Sequence, residues 1–350
     1  MNRRQAMKTA AAASVLPLFG GGAQPVLADS IPGSLPVNFL ASREAVFWKT
    51  EKGRQRYRYV LGRAVLDFVQ DHFSGSKLPV WRKPLSQVDL EKRVVNILYW
   101  LVRGVDRHSR IYPVDPAWLM AQILEESFFY EFAVSWAFAV GVCQFIQPTA
   151  ESLGLVCPKS SYPGDTEVKE PQLAGERERL RALYREKSRL RQKYRSLFAG
   201  SDDLLKECLQ ALAAGKSMPE AEERLRALQK MQQLEADMDE ARQNYREFLR
   251  INFRGRSIFS KKDLAFLTRF DQRVLYRAPV QAMVRMMAEH LRGRNGNILA
   301  ATAGYNAGLS TTSYPYRIYE PYGIITPYRE TVKYVSKIGI NYQEIIRRMG

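Results

Sequence analysis

The fold of this chain is decided by residues 116–127, which read PAWLMAQILEES. Asp115 can cap a helix that has Pro116 in its first turn, and we predict that this helix runs from Ala117 to about Phe132. Because the segment is apolar nearly all round, we expect it to be buried. A carboxyl group among apolar groups keeps its proton near neutral pH. Glu126 is therefore a candidate general acid.

The neighbouring glutamates Glu125 and Glu126 should face different surroundings. Residues three, four and seven positions from Glu126 share its helical face, and they are Leu119, Ile123, Tyr130 and Ala133. Glu125 is turned away by about 100°. A buried glutamate without a partner is costly. A helix end or an arginine could satisfy Glu126, and on these residues alone that alternative to a catalytic role stays open.

The segments around this helix carry helical patterns of their own. Apolar residues recur at helical spacing over Gln55–Phe73, Ser86–Val105, Val280–Leu291 and Ile298–Ala307. No stretch of any length alternates between apolar and polar residues as a half-buried strand does. The sequence therefore predicts an all-α fold.

Residues 170–251 have a different composition, dense in charges of both signs. Leu183, Leu190 and Leu197 are seven residues apart, and a similar pattern continues over residues 231–248. We predict an antiparallel, coiled-coil-like helical hairpin inserted into the surrounding domain. It could be a solvated insertion or an arm that docks a protein partner, and nothing in the segment names such a partner.

The chain is strongly basic, with a formal net charge of +17 at pH 7. Such a surface favours polyanions, which include nucleic acid, an anionic membrane and a cell-wall polymer that carries carboxylates. The absence of aromatic-plus-basic recognition motifs argues against nucleic acid as a partner. No Gly-x-Ser-x-Gly motif occurs either, which argues against peptide or ester hydrolysis.

Residues 1–28 have the pattern of an export signal. The segment begins with Arg3, Arg4 and Lys8, continues through a weakly apolar run, and ends in Val26-Leu27-Ala28. The adjacent arginines suggest the twin-arginine route, although the residues after the pair match that signal poorly. The run is too short to span a membrane, and no cysteine follows it to accept a lipid. We predict a periplasmic protein without a transmembrane span.

The cysteines and histidines show no metal-ligand spacing. Cys143 and Cys157 are close enough in sequence to pair, but with Cys208 the cysteines are odd in number, and three buried thiols are an equal alternative. The histidines are scattered at His72, His108 and His290. We expect no structural or catalytic metal and no cofactor.

Four motif segments follow Glu126-Ser127 along the chain. They are Ala133-Val134-Ser135, Gly141-Val142-Cys143-Gln144, Tyr305-Asn306-Ala307-Gly308 and Glu330-Thr331-Val332-Lys333-Tyr334-Val335. In order and spacing, apart from the inserted hairpin, they resemble the soluble lytic transglycosylase family over roughly Ser86–Cys157 and Phe259–Lys337. The resemblance implies a lysozyme-like helical domain that cleaves the bond between N-acetylmuramic acid and N-acetylglucosamine in peptidoglycan.

The resemblance also implies roles for individual residues. Glu126 corresponds to the single catalytic acid and base, and Tyr305 to a tyrosine whose hydroxyl helps to orient that acid. The implied substrate-binding residues are Ser135, Gln144, Ile146, Asn306 and Glu330. Asn306 could instead shape the turn that presents Tyr305. Without the other segments, Tyr305 would be read as a core tyrosine and Glu330 as an acid at a helix N-terminus.

The family's reaction needs only one carboxyl group. Glu126 would protonate the leaving oxygen, and the 2-acetamido group of the sugar would stabilise the positive charge that develops. Glu126 would then take a proton from the 6-hydroxyl group, which closes a 1,6-anhydro ring without consuming water. The alternatives are a muramidase that hydrolyses the same bond and a non-catalytic wall-binding component of a secretion or conjugation machine.

The chain departs from the family at several motif positions. Phe128 and Phe138 stand where glycine is common, and Trp136 stands where proline is usual. Cys143 replaces a methionine and Val332 an arginine. None of these changes removes the proton donor, and the added aromatic rings could narrow the saccharide groove.

The predicted organisation has five parts. They are an export signal at 1–28, a helical N-terminal extension at 29–85, the first part of the catalytic domain at 86–160, the hairpin at 161–256 and the second part of the catalytic domain at 257–350.

Overall fold

The computed structural model describes residues 50–195, 201–216, 219–313 and 320–349. Within these ranges every regular element is a helix, and contacts of β type are isolated pairs such as Val134 with Val140. The prediction of an all-α fold is confirmed. The predicted export signal and Leu197 of the heptad pattern lie outside the described residues.

The helices are joined by turns and by longer segments, such as the one between Ser127 and Gln147. In chain order they are α1 (Glu51–Phe73), α2 (Leu90–His108), α3 (Pro116–Ser127), α4 (Gln147–Ser152), α5 (Glu176–Lys193), α6 (Ser201–Ala213), α7 (Pro219–Phe253), α8 (Lys261–Phe270), α9 (Arg277–Gly293), α10 (Ile298–Ala307) and α11 (Arg329–Met349). Short 3₁₀ helices occur at Leu85–Gln87, Pro171–Gly175, Gln272–Val274, Leu309–Thr312 and Glu320–Tyr322.

The chain divides into two compact units. Of the described residues, the first unit comprises those up to Cys157 together with those from Leu267 onward, and the second comprises those within Pro158–Phe266. The domain ranges given by the sequence stay predictions.

The core of the first unit is built around α3. Residues from Pro116 to Leu124 are all buried, in keeping with the apolar sequence. Helix α3 packs against α2 and α11, α11 also packs against α1 and α10, and α2 packs against α9. The carboxyl end of α3 therefore lies at the side of α11.

Helix α3 is shorter than the sequence predicts. It ends at Ser127 rather than near Phe132, because Phe128 and Phe129 have φ angles of +53° and +60°. Left-handed backbone of this kind terminates a helix, and it is unusual for bulky side chains. Tyr130 and Ala133 were predicted to share a helical face with Glu126, and that prediction is wrong because both lie beyond the helix end.

Helices α1 and α2 begin where a capping side chain is available. Thr50 accepts from the backbone N–H of Gly53, so α1 starts at Glu51 instead of Gln55. Asp89 accepts from the backbone N–H of Lys92. Helix α2 therefore runs Leu90–His108 and not Ser86–Val105.

In the second unit, helices α5 and α7 run antiparallel. Arg179 pairs with Glu240 at 2.9 Å and Glu186 with Lys230 at 3.1 Å, so the numbering rises along one helix as it falls along the other. Apolar residues fill the seam between charged outer faces. The buried ones are Leu180, Ala227, Leu234, Met238, Ala241, Tyr245 and Phe248.

Candidate active site

Helix α3 is held in position by hydrogen bonds at both of its ends. At its start, Asp115 accepts from the N–H of Ala117 at 2.8 Å and from the hydroxyl of Tyr342 at 3.0 Å. Burial raises the pKa of Asp115 to about 6. At its end, the hydroxyl of Ser127 donates to the carbonyl oxygens of Ile123 and Val142. The last turn of α3, which carries Glu126, is thereby tied to the loop that follows it.

Glu126 is half-buried at the end of α3. Removal from water raises its pKa to about 8 from an ordinary 4.5, a hydrogen bond from Tyr334 lowers the pKa in part, and the charge of Glu125 raises it. With a pKa near 8, about ten molecules are protonated for each ionised one at pH 7. The side chain can therefore act as a proton donor near neutral pH.

Tyr334 and Gln122 form a hydrogen-bonded chain that ends on Glu126. The Tyr334 hydroxyl donates to Glu126 Oε1, and Gln122 Nε2 donates to the Tyr334 oxygen at 3.0 Å. Burial, together with the nearby Glu126 carboxyl, raises the pKa of Tyr334 well above its usual value. Tyr334 is therefore protonated near neutral pH and remains a donor there.

Tyr305 lies in the same cluster but contacts a different group. Its hydroxyl donates to the backbone carbonyl of Cys143 at 2.7 Å, and its ring lies 5.8 Å from that of Phe145. The sequence predicts that Tyr305 orients the acid, whereas the hydroxyl on Glu126 belongs to Tyr334. Tyr305 positions the loop that carries Cys143.

Cys143 lies beside the acid as a buried free thiol. Burial raises its pKa well above the usual value, and the neighbouring Glu126 carboxyl raises it further. The thiol is therefore neutral and does not compete with the carboxyl group for protons.

The loop 133–145 crosses beside the end of α3 in a compact turn. The backbone N–H of Gly141 donates to the carbonyl of Ala133 at 3.0 Å, and the Gln144 side-chain amide donates to the carbonyls of Gly141 at 2.8 Å and Ala133 at 3.3 Å. Ser135 accepts from the N–H of Ala139 through its hydroxyl oxygen at 2.9 Å. Ser135 and Gln144, both predicted substrate-binding residues, thus shape this loop, and both remain half-exposed.

Arg273 anchors this loop from the opposite side. Its guanidinium is fully buried, pairs with Asp271 at 2.7 Å, and donates to the carbonyls of Phe138 and Phe145 at 3.0 and 3.2 Å. A Cβ at Gly141 would lie 1.9 Å from the Arg273 carbonyl oxygen, so the backbones touch there. Only glycine fits at position 141, since the φ angle is also +81°.

Two of the departures from the family pattern fall on left-handed backbone. Phe128 has φ +53° and Phe138 has φ +62°, and both stand where the family commonly has glycine. The chain therefore keeps the backbone course that glycine favours but carries a phenylalanine there. Left-handed backbone costs on the order of 1 kcal/mol or more at each such residue. Gln144, with φ +48°, shares the feature.

Carboxylates near Glu126 in sequence are paired with cations. Glu125 accepts from the Lys337 ammonium at 2.7 Å. Glu131 is buried and accepts two bonds from Arg93, at 2.6 and 2.8 Å, while Arg93 also lies over the Trp81 ring. Both side chains are therefore held by cations, which leaves Glu126 as the carboxyl group suited to proton transfer.

The remaining predicted site residues lie on α10, on α11 and after the loop. Asn306, exposed near the end of α10, accepts from the Thr331 hydroxyl at 2.9 Å. Glu330 is half-exposed in the first turn of α11, and Ile146 is exposed immediately before α4. Asn306 and Thr331 thus join α10 to α11, the helices that supply Tyr305 and Tyr334.

Sequence reasoning did not single out Tyr334, Gln122, Lys337 or Arg273. Tyr334 lies within a motif segment, and its place one turn after Glu330 on a helix is a usable signal. Gln122 stands one turn before Glu126, so its shared face could have been noticed. Lys337 and Arg273 act across long sequence separations, which no local pattern reveals.

Across the described ranges, no three side chains of His, Cys, Asp or Glu are grouped so that they could hold a metal ion. The same residues include no helix with the length and apolar character that a membrane crossing needs.

Comparison with protein families gives one match. Residues 105–175 match the family described as transglycosylase SLT domain, so the resemblance seen in the motifs is confirmed over that range. The match includes Glu126, Ser135, Gln144 and Ile146, and supports a peptidoglycan-acting function of the lytic transglycosylase type in general terms. No curated protein and no solved structure matches the chain.

Proposed function

We propose that this protein is a lytic transglycosylase that cleaves the β-1,4 bond between N-acetylmuramic acid and N-acetylglucosamine and leaves 1,6-anhydromuramyl ends. The observation that carries the proposal is the environment of Glu126. Its carboxyl group has a pKa of about 8 and receives a hydrogen bond from Tyr334. It is therefore a protonated acid at neutral pH that is also stabilised once it has lost its proton.

Glu126 acts twice in the proposed reaction. The protonated carboxyl donates its proton to the glycosidic oxygen as the bond to the anomeric carbon breaks. The 2-acetamido group of the muramyl residue stabilises the positive charge at that carbon. The Glu126 carboxylate then removes the proton of the sugar's 6-hydroxyl group. The 6-oxygen of the sugar forms a bond to the anomeric carbon at the same time and closes the 1,6-anhydro ring. Glu126 ends the cycle protonated, as it began.

The pairing of the nearby carboxylates supports this route. A retaining hydrolase usually needs a second carboxylate as nucleophile. Glu125 is bound by Lys337 and Glu131 by Arg93, so neither is available for attack. A mechanism in which the substrate supplies its own acetamido group as nucleophile fits the pairing of Glu125 and Glu131 with cations.

The protein is proposed to act on the cell wall after export, because residues 1–28 have the pattern of an export signal. The net charge of +17 suits a polymer whose peptide stems carry carboxylates.

The decisive experiment is digestion of isolated sacculi by the purified protein, followed by mass spectrometry of the released muropeptides with and without borohydride. Anhydromuramyl ends resist reduction, and we expect them as the main product. Reducible ends would instead identify a hydrolytic muramidase. Binding to sacculi with no release of muropeptides would identify a non-catalytic wall-binding protein.

A further inference from the structure

Gln122 is fully buried in the core of the first unit and has one polar atom without a partner. Its side chain has no exposed surface, and its Oε1 atom makes no hydrogen bond within the described residues. An unpaired buried carbonyl lowers the free energy of unfolding, and an apolar residue of the same size would avoid that cost. A glutamine at this position therefore calls for an explanation other than stability.

The explanation lies in the nitrogen atom of the same side-chain amide. Gln122 Nε2 donates to the Tyr334 oxygen at 3.0 Å, and the Tyr334 hydroxyl donates to Glu126 Oε1. A tyrosine hydroxyl has one hydrogen. If the Gln122 amide were reversed, its carbonyl would compete for that hydrogen and draw it away from Glu126. With the amide oriented as it is, the single hydroxyl hydrogen of Tyr334 is donated to Glu126.

The hydrogen bond from Tyr334 determines which oxygen of Glu126 carries the proton. Oε1 accepts from Tyr334, so the proton resides on Oε2, which makes no hydrogen bond to any described residue. An Oε2 hydroxyl without a protein acceptor is free to donate to a substrate oxygen. After donation, Glu126 is an anion, and the bond from Tyr334 strengthens because its acceptor is now charged.

We infer that Gln122 is a positioning residue, which acts through Tyr334 to hold the Glu126 proton on Oε2 and to stabilise the carboxylate formed when that proton is transferred. This inference rests on the proposed function. It gives Gln122 no contact with substrate, because the side chain has no exposed surface.

The charged and titratable groups around Glu126 come from every element packed against it. They are Glu125 on its own helix, Cys143 on the loop, Tyr305 on α10, and Tyr334 and Lys337 on α11. Gln122 is uncharged and contacts this set only through Tyr334 among the bonds described. A change at Gln122 should therefore reach Glu126 through Tyr334.

The test is the Gln122→Met variant, which keeps the size of the side chain but cannot donate a hydrogen bond. Its effect is measured by the ¹³C chemical shift of the labelled Glu126 carboxyl as a function of pH, with Glu126→Gln identifying the signal. We expect the pKa of Glu126 to rise by roughly half to one unit, because the carboxylate loses support. On sacculi, kcat should fall by up to roughly three- to tenfold with KM unchanged, because a higher pKa makes Glu126 a weaker acid.

A double-mutant cycle separates positioning from a general structural effect. In the Tyr334→Phe background the hydrogen-bonded chain is already broken, so Gln122→Met should then leave the pKa of Glu126 unchanged. Gln281→Met is the matched control: it is the same substitution in the same unit, at a residue whose amide accepts from Arg107. We expect it to alter neither the pKa nor kcat.

Thermal unfolding provides an independent measurement. Removal of the unpaired Gln122 carbonyl should leave the melting temperature equal or higher while turnover falls. Gln122→Leu serves if the methionine variant does not fold. An unchanged pKa of Glu126 in Gln122→Met, or an equal change in the Tyr334→Phe background, would overturn the inference. Failure of wild type to release muropeptides would overturn the proposed function alone, since the titration needs no substrate.

Discussion

One ion pair of the first unit and one of the inserted unit, Pro158–Phe266, mark two extremes of exposure to water. In the inserted unit, pairs such as Arg179 with Glu240 leave side chains 42% and 59% exposed to water. In the first unit, Arg273 and Asp271 are paired with no exposure at all, and Glu126 keeps its proton. The comparison teaches that the density of charge along the sequence does not locate the chemistry. The candidate acid lies in one of the most apolar stretches of the chain.

The largest expected effect comes from removal of the proton donor in the first unit. Glu126→Gln keeps the shape of the side chain but removes the proton donor, and we expect turnover on sacculi to fall by at least a factor of about a hundred. The measurement is the rate of release of anhydromuropeptides. Circular dichroism should match that of wild type, and a Gln variant with undiminished turnover would exclude Glu126 as the acid.

The next prediction concerns stability against pH in the same variant. The pKa of Glu126 in the folded protein is raised to about 8 from 4.5. The contribution of the protonated side chain to the free energy of unfolding is therefore fully present below pH 4.5 and is lost as pH rises through 8. Wild type should therefore lose roughly 3–5 kcal/mol of unfolding free energy relative to Glu126→Gln between about pH 4.5 and 9.

Denaturant unfolding of both proteins across that pH range measures this difference. Asp115 titrates in both proteins alike, with a pKa raised to about 6, so its effect cancels in the comparison. A difference that does not change with pH would show that Glu126 is not held in its neutral form.

Removal of one partner from each kind of ion pair sharpens the contrast between the units. Arg273→Met strands the Asp271 carboxylate in the core and removes two bonds to loop carbonyls, so we expect a loss of about 3–5 kcal/mol. Glu240→Gln, in an exposed pair with Arg179, should change stability by less than about 1 kcal/mol. Equal losses measured in urea would remove the distinction drawn here.

The smallest expected effect concerns the neighbour of the acid. The Glu125 carboxylate raises the pKa of Glu126, although less than burial does. Glu125→Gln should therefore lower that pKa by a few tenths of a unit, and the alkaline limb of the pH–rate profile should move to lower pH. Lys337→Met, which leaves Glu125 without its cation, should move the limb in the opposite direction. Shifts of the same sign in both variants would contradict this account.

The sequence supports the all-α fold and the burial of α3 because both follow from local periodicity. The residues 116–127 contain the cap, the proline and the apolar positions that form the helix. Its end could not be predicted in the same way. Aromatic residues rarely adopt left-handed backbone, yet Phe128 and Phe129 do so here, where the Phe128 ring contacts Phe73 and the Phe128 carbonyl accepts from Trp81.

The site residues that could be predicted are those with a pattern in the neighbouring sequence. Residues that reach the site from distant parts of the sequence could not be predicted. Glu126 follows from its place in an apolar helix. Its partner Tyr334 lies 208 residues away in sequence, and the pattern around Tyr334 does not show which carboxyl it contacts. The anchoring of the loop by Arg273 depends on backbone carbonyls of Phe138 and Phe145, and carbonyls leave no trace in residue identity.

The close approach of Gly141 to the carbonyl of Arg273 has a consequence for engineering. A random library over positions 138 and 141, selected for wall-lytic activity, should return glycine alone at 141, where an added methyl group meets backbone. At position 138, where the obstacle is the φ angle of +62°, glycine and asparagine should be recovered beside phenylalanine. These two neighbouring sites would thus separate a steric from a conformational requirement within one short loop.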